Sequence, residues 1–138
     1  MTFAHLTIAT RNAAVTSRFY QDTFRWRQLH MPGNIEIGAD WLEIVPGQQI
    51  HILQIENFAP SAFEEEFGRH FALFHPAADF DALQQRLIAH GAEIIPPFVK
   101  LPFHAFSFAT PTGTWSKSSI RMRIAAKTRK IEGCGADS

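Results

Sequence analysis

The chain has 138 residues, of which 46% are hydrophobic and 19% are charged, and its 13 Lys and Arg side chains balance 13 Asp and Glu. This length and composition predict one folded domain with its own core, and they exclude a chain that is mostly disordered. No apolar run approaches the roughly 20 residues that span a bilayer, and the only cysteine, Cys134, excludes an internal disulfide, so we expect a cytoplasmic protein outside the membrane.

The first part of the sequence predicts a β-α-β-β-β unit. Along residues 3–10, apolar and polar side chains tend to alternate and β-forming residues are frequent, which indicates a strand. Asn12 is a good N-cap for a helix that continues to Arg25. Further strands are predicted at 26–31, 41–45 and 49–56, with turns at Pro32-Gly33-Asn34 and Pro46-Gly47 between them.

A polar linker over 57–68 precedes a second copy of the same pattern. The predicted elements are a strand at 69–75, a helix over 79–90 that Gly91 ends, strands at 92–95 and 105–109, a turn at 110–113 and a last segment from Trp115. The alignment of the two halves places His5 and His70 at the same point of the same strand. We therefore predict an α+β fold in which two tandem β-α-β-β-β modules form curved mixed sheets around a shared cavity.

The charge is unevenly distributed along the chain. Residues 1–116 carry 7 basic and 11 acidic side chains, whereas residues 117–138 carry 6 basic and 2 acidic ones. The predicted organisation is one domain with module one at about 3–56, module two at about 69–123 and a basic tail at 124–138. The tail has one short basic cluster and no aromatic residue after Trp115, so we do not expect nucleic-acid binding.

Several stretches resemble the vicinal oxygen chelate superfamily, which includes glyoxalase I, extradiol dioxygenases, fosfomycin-resistance enzymes and bleomycin-binding proteins. They are His5-Leu6-Thr7-Ile8, Ser17-Arg18-Phe19-Tyr20 with Phe24, Gly68-Arg69-His70-Phe71-Ala72-Leu73, the helix from Asp79 to Ala92, and Thr110-Pro111-Thr112-Gly113. The resemblance covers about residues 3–114. It implies the two-module fold and a homodimer, because members of the superfamily often build their sites across a subunit interface.

The resemblance also implies a metal site with ligands on the first and last strands of each module. Carried over to this sequence, it gives His5, His51 and His70, with a divalent metal such as Fe, Zn, Mn or Ni. Three imidazoles and a water molecule would suit a catalytic zinc site. Trp41, Phe106 and Phe108 are predicted to line a substrate pocket, although aromatic strand faces are more often core.

Other polar residues are expected to have ordinary roles. His30, His75, His90 and His104 are predicted to be structural or surface residues, because a lone histidine is seldom a ligand. Glu43 and Glu56 are alternative carboxylates near the last strands of module one, and we expect both to be solvated.

The fourth ligand position of the superfamily, usually Glu, corresponds to Lys117. A protonated lysine has no lone pair to give a metal. The codons of Thr114-Trp115-Ser116-Lys117-Ser118, read one base earlier, permit Asn-Leu-Val-Glu-Ile, which restores the usual ending. This arithmetic suggests a frameshift just before residue 114.

The sequence leaves three functions open. The first is a small metalloenzyme that resembles glyoxalases and dioxygenases, with a lyase or dioxygenase activity in which the metal binds vicinal oxygens of a small substrate. The second is a metal-free ligand-binding protein similar to those that confer bleomycin resistance. The third is an inactive copy with a frameshifted C-terminus.

Overall fold

The structure, a computed structural model, describes residues 2–35, 37–59, 70–96, 104–110 and 121–127. Its elements are β1 (His5–Thr10), α1 (Ala13–Phe24), β2 (Arg27–Leu29), β3 (Ala39–Val45), β4 (Gln48–Gln54), β5 (His70–Pro76), a 3-10 turn (Ala77–Asp79), α2 (Phe80–Ala89), β6 (Glu93–Ile95), β7 (Ala105–Ala109) and β8 (Arg121–Lys127). Neither helix in these ranges is long and apolar enough to cross a membrane.

The strands form two four-stranded mixed sheets with the same topology. The first has the order β1-β4-β3-β2 and the second the order β5-β8-β7-β6. In each sheet the first strand of the unit runs parallel to the last one, and the remaining neighbours are antiparallel. The predicted α+β fold of two repeated β-α-β-β-β units is therefore confirmed.

Local sequence signals account for several element boundaries. The side chain of Asn12 accepts a hydrogen bond of 3.0 Å from the Val15 backbone N–H, which confirms it as the N-cap of α1. Gly47 lies in the tight turn between β3 and β4 with a φ of 82°, and Gly91 follows α2 with a φ of 83°. Glycine adopts these left-handed conformations without the steric cost that a Cβ brings.

The core lies between the helices and one face of each sheet. Its largest fully buried side chains are Ile8, Tyr20, Leu42, Ile50, Ile52, Leu83, Leu87, Phe108 and Ile124. On β4 the buried residues Ile50 and Ile52 alternate with half-buried His51, as expected for a strand with one face on the core. Ile50 and Ile52 thus face α1, and His51 faces away from it.

The last strand lies further along the chain than the sequence predicts. β8 covers Arg121–Lys127 and pairs with both β5 and β7, so it crosses the predicted boundary between module two and the tail at 123/124. Ile124, Ala125 and Ala126 are buried. The part of the predicted tail beyond residue 127, including Cys134, lies outside the described residues, and so does Trp115.

Candidate functional site

Three of the predicted site residues lie together on the face of the first sheet that points away from α1. The rings of Trp41 and His51 are stacked with centroids 4.1 Å apart and planes within 4° of parallel. The rings of His5 and His51 are stacked at 4.2 Å and 7°. His51 is therefore the middle ring of a continuous stack, here called the ring stack (Trp41, His51 and His5).

The strand register explains why these rings meet. Trp41 and His51 are directly opposed in the antiparallel pair of β3 and β4, where side chains on one face approach closely. In the parallel pair of β1 and β4, Thr7 is opposite His51, which puts His5 one step away along the same face. The stack therefore crosses three neighbouring strands and ends at β1, where the ring of His5 is exposed.

Two interactions set the chemical state of His51. Its Nε2 lies 2.9 Å from Oε1 of Gln49, and because that oxygen accepts, Nε2 donates and Nδ1 keeps the lone pair. Burial lowers the pKa of the His51 imidazole below its ordinary value, and repulsion by His5 lowers it further. Both effects favour a neutral His51 at neutral pH.

The lowered pKa of His51 predicts a pH-dependent stability. The unfolded chain takes up a proton at pH values where the folded His51 stays neutral, so the free energy of unfolding rises as the pH rises toward 6.5, and its full value is reached above that. His51→Phe keeps a ring in the stack and removes the titrating group. Urea denaturation at pH 5 and pH 7.5 is expected to show a smaller stability gain in this variant than in the wild-type chain. An equal gain in both proteins would contradict the assignment.

The two predicted pocket residues on β7 lie elsewhere. Phe106 is buried against Phe80 with ring centroids 5.1 Å apart, and Phe108 is buried between Phe19 and Phe24, at 6.2 and 5.7 Å. Both rings belong to the core cluster rather than to the ring stack. In this fold they are therefore core residues, and only Trp41 of the predicted pocket residues accompanies the histidines.

The repeat holds at the backbone of the second module. His70 opens β5 as His5 opens β1, and its backbone is opposite Arg121; its side chain lies outside the described residues. The register position equivalent to His51 is Arg123, opposite Ala72, because β8 begins only at Arg121. The resemblance gives Lys117 instead, and Lys117 lies outside the described residues. A guanidinium, like an ammonium, has no lone pair for a metal.

The alternative carboxylates do not join the ring stack. Glu43 accepts a hydrogen bond of 2.8 Å from Arg27 Nη2 in a cross-strand ion pair between β3 and β2. Glu56 is exposed beyond the end of β4, as expected for a solvated residue.

A second polar cluster, which the sequence patterns do not predict, joins β5 to α2. Nε2 of His75 lies 2.8 Å from Oδ2 of Asp79, and Arg86 donates to both oxygens of that carboxylate, at 3.2 and 2.6 Å. The Nε of Arg86 also donates to the Thr23 carbonyl at 2.9 Å, which ties α2 to the end of α1. The hydrogen bonds from Arg86 and then from His75 hold the pKa of Asp79 far below its usual range. The spacing of His75 and Asp79, four residues apart, was the available signal.

The fold of two repeated units agrees with comparisons to known proteins. A family model described as the Glyoxalase/Bleomycin resistance protein/Dioxygenase superfamily matches residues 2–116. The chain belongs to this superfamily. None of the curated proteins is significantly similar to it.

Solved structures of superfamily members share the fold. The fosfomycin resistance protein FosX from Listeria monocytogenes, in a mutant form complexed with Mn(II) and a dihydroxypropylphosphonic acid, is 16% identical with a TM-score of 0.71, and the match covers 93% of each chain. A putative glyoxalase family protein from Bacillus anthracis is 21% identical with a TM-score of 0.71 over 93% of this chain and 96% of that one. FosX from Mesorhizobium loti is 19% identical with a TM-score of 0.67 over 93% of both.

The ring stack does not suit a metal ion shared by His5 and His51. An imidazole binds a metal through a lone pair in the ring plane, with a nitrogen–metal distance of about 2.1 Å for zinc. The stacked, nearly parallel planes of His5 and His51 do not converge on one such point. Among the described residues, no group of three or more His, Cys, Asp or Glu could hold an ion. In this arrangement, His51 is a stacking ring rather than a ligand partner of His5.

Proposed function

We propose that this protein binds a flat, drug-like small molecule on the ring stack, in the manner suggested by the bleomycin-resistance branch of its superfamily. The observation that carries the proposal is the parallel stacking of Trp41, His51 and His5. Aromatic surfaces of this kind bind flat ligands through stacking and burial of apolar area. No metal takes part in this form of binding.

The two ends of the stack differ. Trp41 is directly opposite half-buried Leu29 of β2, so β2 lies next to the Trp41 end of the stack. The ring of His5 lies on the outermost strand of the described sheet and is exposed, so its outer face offers the stacking surface. Gln49 and His51 add polar atoms beside it, which would orient the oxygen and nitrogen atoms of the ligand.

The experiment separates the ring of His5 from its nitrogen atoms. Metal-free bleomycin is titrated into chelator-treated protein, and binding is followed by quenching of tryptophan fluorescence. His5→Phe keeps a flat ring and is expected to bind within about threefold of wild type, whereas His5→Ala is expected to bind about tenfold more weakly, since one stacking contact contributes about 1–3 kcal/mol. His90→Ala, at an exposed position at the end of α2, is the control and should bind normally.

The proposal fails if His5→Ala binds as well as the wild-type chain, or if wild-type protein shows no saturable binding at millimolar ligand. It also fails if His5→Phe loses binding as completely as His5→Ala, because nitrogen atoms would then be the essential feature.

A metal-dependent enzyme is the second candidate. It is favoured by the equivalent positions of His5 and His70, which open the first strands of the two units, and by the Mn(II) in the Listeria structure. His5 and His70 would hold a divalent ion such as Fe, Zn, Mn or Ni. Such an ion supplies Lewis-acid stabilisation of a developing oxyanion on a small substrate with vicinal oxygens. A homodimer belongs to this candidate, with the two histidines coming from different copies.

Metal content decides between the candidates. After stripping and reconstitution with each metal, inductively coupled plasma mass spectrometry of the enzyme candidate is expected to give about one ion per chain, lost in both His5→Phe and His70→Ala. His51→Phe is expected to keep the ion, because His51 stacks. Light scattering measures whether the chain is a dimer. A folded protein without specifically bound metal would contradict this candidate and leave the ligand-binding proposal standing.

A frameshift before residue 114 is a further proposal about the origin of this chain. It is supported by the end of the family match at residue 116, next to Lys117. Resequencing of the gene tests it: an intact frame in close relatives would contradict it.

A further inference from the structure

A cavity of about 620 Å³ lies away from the ring stack, between β5 and the segment that joins α1 to β2. None of the three stacked rings lines it. Cavities of about 300–1,000 Å³ are typical of small-molecule sites. It is therefore large enough for an aromatic molecule with one polar substituent.

One wall of this cavity is aromatic and apolar. Phe24 and Trp26 line it with their rings stacked 4.7 Å apart and 27° from parallel. Leu73 of β5 and the fully buried Ile124 of β8 complete this side. A flat hydrocarbon ring placed here would be removed from water, which is favourable in proportion to the apolar area buried.

The cationic group at the cavity is Arg25. Glu43 and Arg27 also line it, but they neutralise each other in an ion pair of 2.8 Å. The guanidinium of Arg25 forms no hydrogen bond or ion pair within the ranges that the structure describes. His75, which also lines the cavity, is hydrogen-bonded to Asp79, so among the described lining residues Arg25 is the cation without a described partner.

The backbone of Arg25 gives an independent reason to single it out. Arg25 ends α1 in the left-handed conformation, with a φ of 63°, while its N–H donates to the Gln21 carbonyl. Glycine usually occupies this position, because a Cβ there costs about 1–2 kcal/mol. Residues held in such conformations cluster at functional sites, including those that hold ligands.

We propose that this cavity binds a small aromatic monocarboxylate, with its ring against Phe24 and Trp26 and its carboxylate on the guanidinium of Arg25. The guanidinium matches a carboxylate with two parallel hydrogen bonds. The positive charge of Arg25 fits a monoanion better than a neutral molecule or a cation. None of the rings of the stack lines this site.

The test uses 4-fluorobenzoate and its neutral analogue 4-fluorobenzamide, followed by fluorine NMR. We expect saturable line broadening with the benzoate and at least tenfold weaker binding of the benzamide. Arg25→Gly is expected to weaken benzoate binding at least tenfold while the midpoint of thermal unfolding stays the same or rises, since glycine relieves the strain. Arg25→Lys keeps the charge but not the fork of two donors, and should give an intermediate loss.

Two controls make the result specific. Arg18→Gln removes an exposed cation elsewhere on α1 and should leave benzoate binding unchanged. His5→Ala should also leave it unchanged, which separates this site from the ring stack. Equal binding of benzoate and benzamide, unchanged binding in Arg25→Gly, or loss of binding in His5→Ala would each overturn the proposal.

Discussion

Replacement of Phe108 by alanine is expected to lower the free energy of unfolding by about 3–5 kcal/mol. Phe108 is 1% exposed, and its ring contacts Phe19 and Phe24 of α1, so it packs an element of the second unit against the helix of the first. Loss of the ring removes apolar contacts and leaves a cavity that the surrounding residues fill only in part. Such a loss is a large part of the whole stability of a domain.

Urea denaturation measures this effect. Phe74→Ala, on β5, is the matched control, because Phe74 is 68% exposed and its removal should change the free energy of unfolding by less than about 0.5 kcal/mol. Phe108→Leu keeps most of the volume and should cost about 1.5 kcal/mol or less. A stable Phe108→Ala variant with impaired ligand binding would instead support a pocket role for this ring.

Replacement of Arg86 by alanine is expected to lower the free energy of unfolding at neutral pH by about 1.5–3 kcal/mol, the range for hydrogen bonds to charged groups. The guanidinium donates twice to Asp79 and once to the Thr23 carbonyl, and these contacts join α1 to α2. Their loss leaves His75 as the partner of Asp79 in the cluster. The partly exposed carboxylate regains water, which keeps the loss from being larger.

The same variant should change the acid limb of the stability curve. The pKa of Asp79 in the folded chain is far below its ordinary value of 3.8. The ionised carboxylate therefore contributes its full stabilisation of the folded chain above about pH 3.8, and this contribution is lost as the pH falls below that. Arg86→Ala and Asp79→Asn should both reduce this loss, and their effects should not add, because both remove one interaction. Urea denaturation at pH 5 and pH 2.5 measures it, with Arg18→Ala as the control. Fully additive effects would contradict the coupling.

The sequence predicted the order of elements well because each signal is local. Asn12 caps a helix and Gly47 makes a turn whatever the rest of the chain does. The face of a strand is a different matter: alternation on β7 puts Phe106 and Phe108 on one side, but only packing against α1 and α2 decides that this side is the core.

The candidate site depended on relations across strands that no single segment encodes. His5 and His51 were identified through the repeat and the resemblance, but their parallel stacking follows from the register of β1 and β4. The same holds for Trp41, which meets His51 across the turn at Gly47. The resemblance gives Lys117 as the fourth position, whereas the register of β8 makes Arg123 the residue equivalent to His51.

The position of β8 between β5 and β7 affects how the chain folds while it is being synthesised on the ribosome. The first unit has all its strands once Gln54 has left the exit tunnel, and it can form its sheet early. The second unit lacks its central strand until residues 121–127 emerge, so β5 and β7 wait with unpaired edges, and such edges favour aggregation. We therefore expect a partly folded stage during synthesis, in which a chaperone that covers β5 and β7 would raise the yield of folded protein.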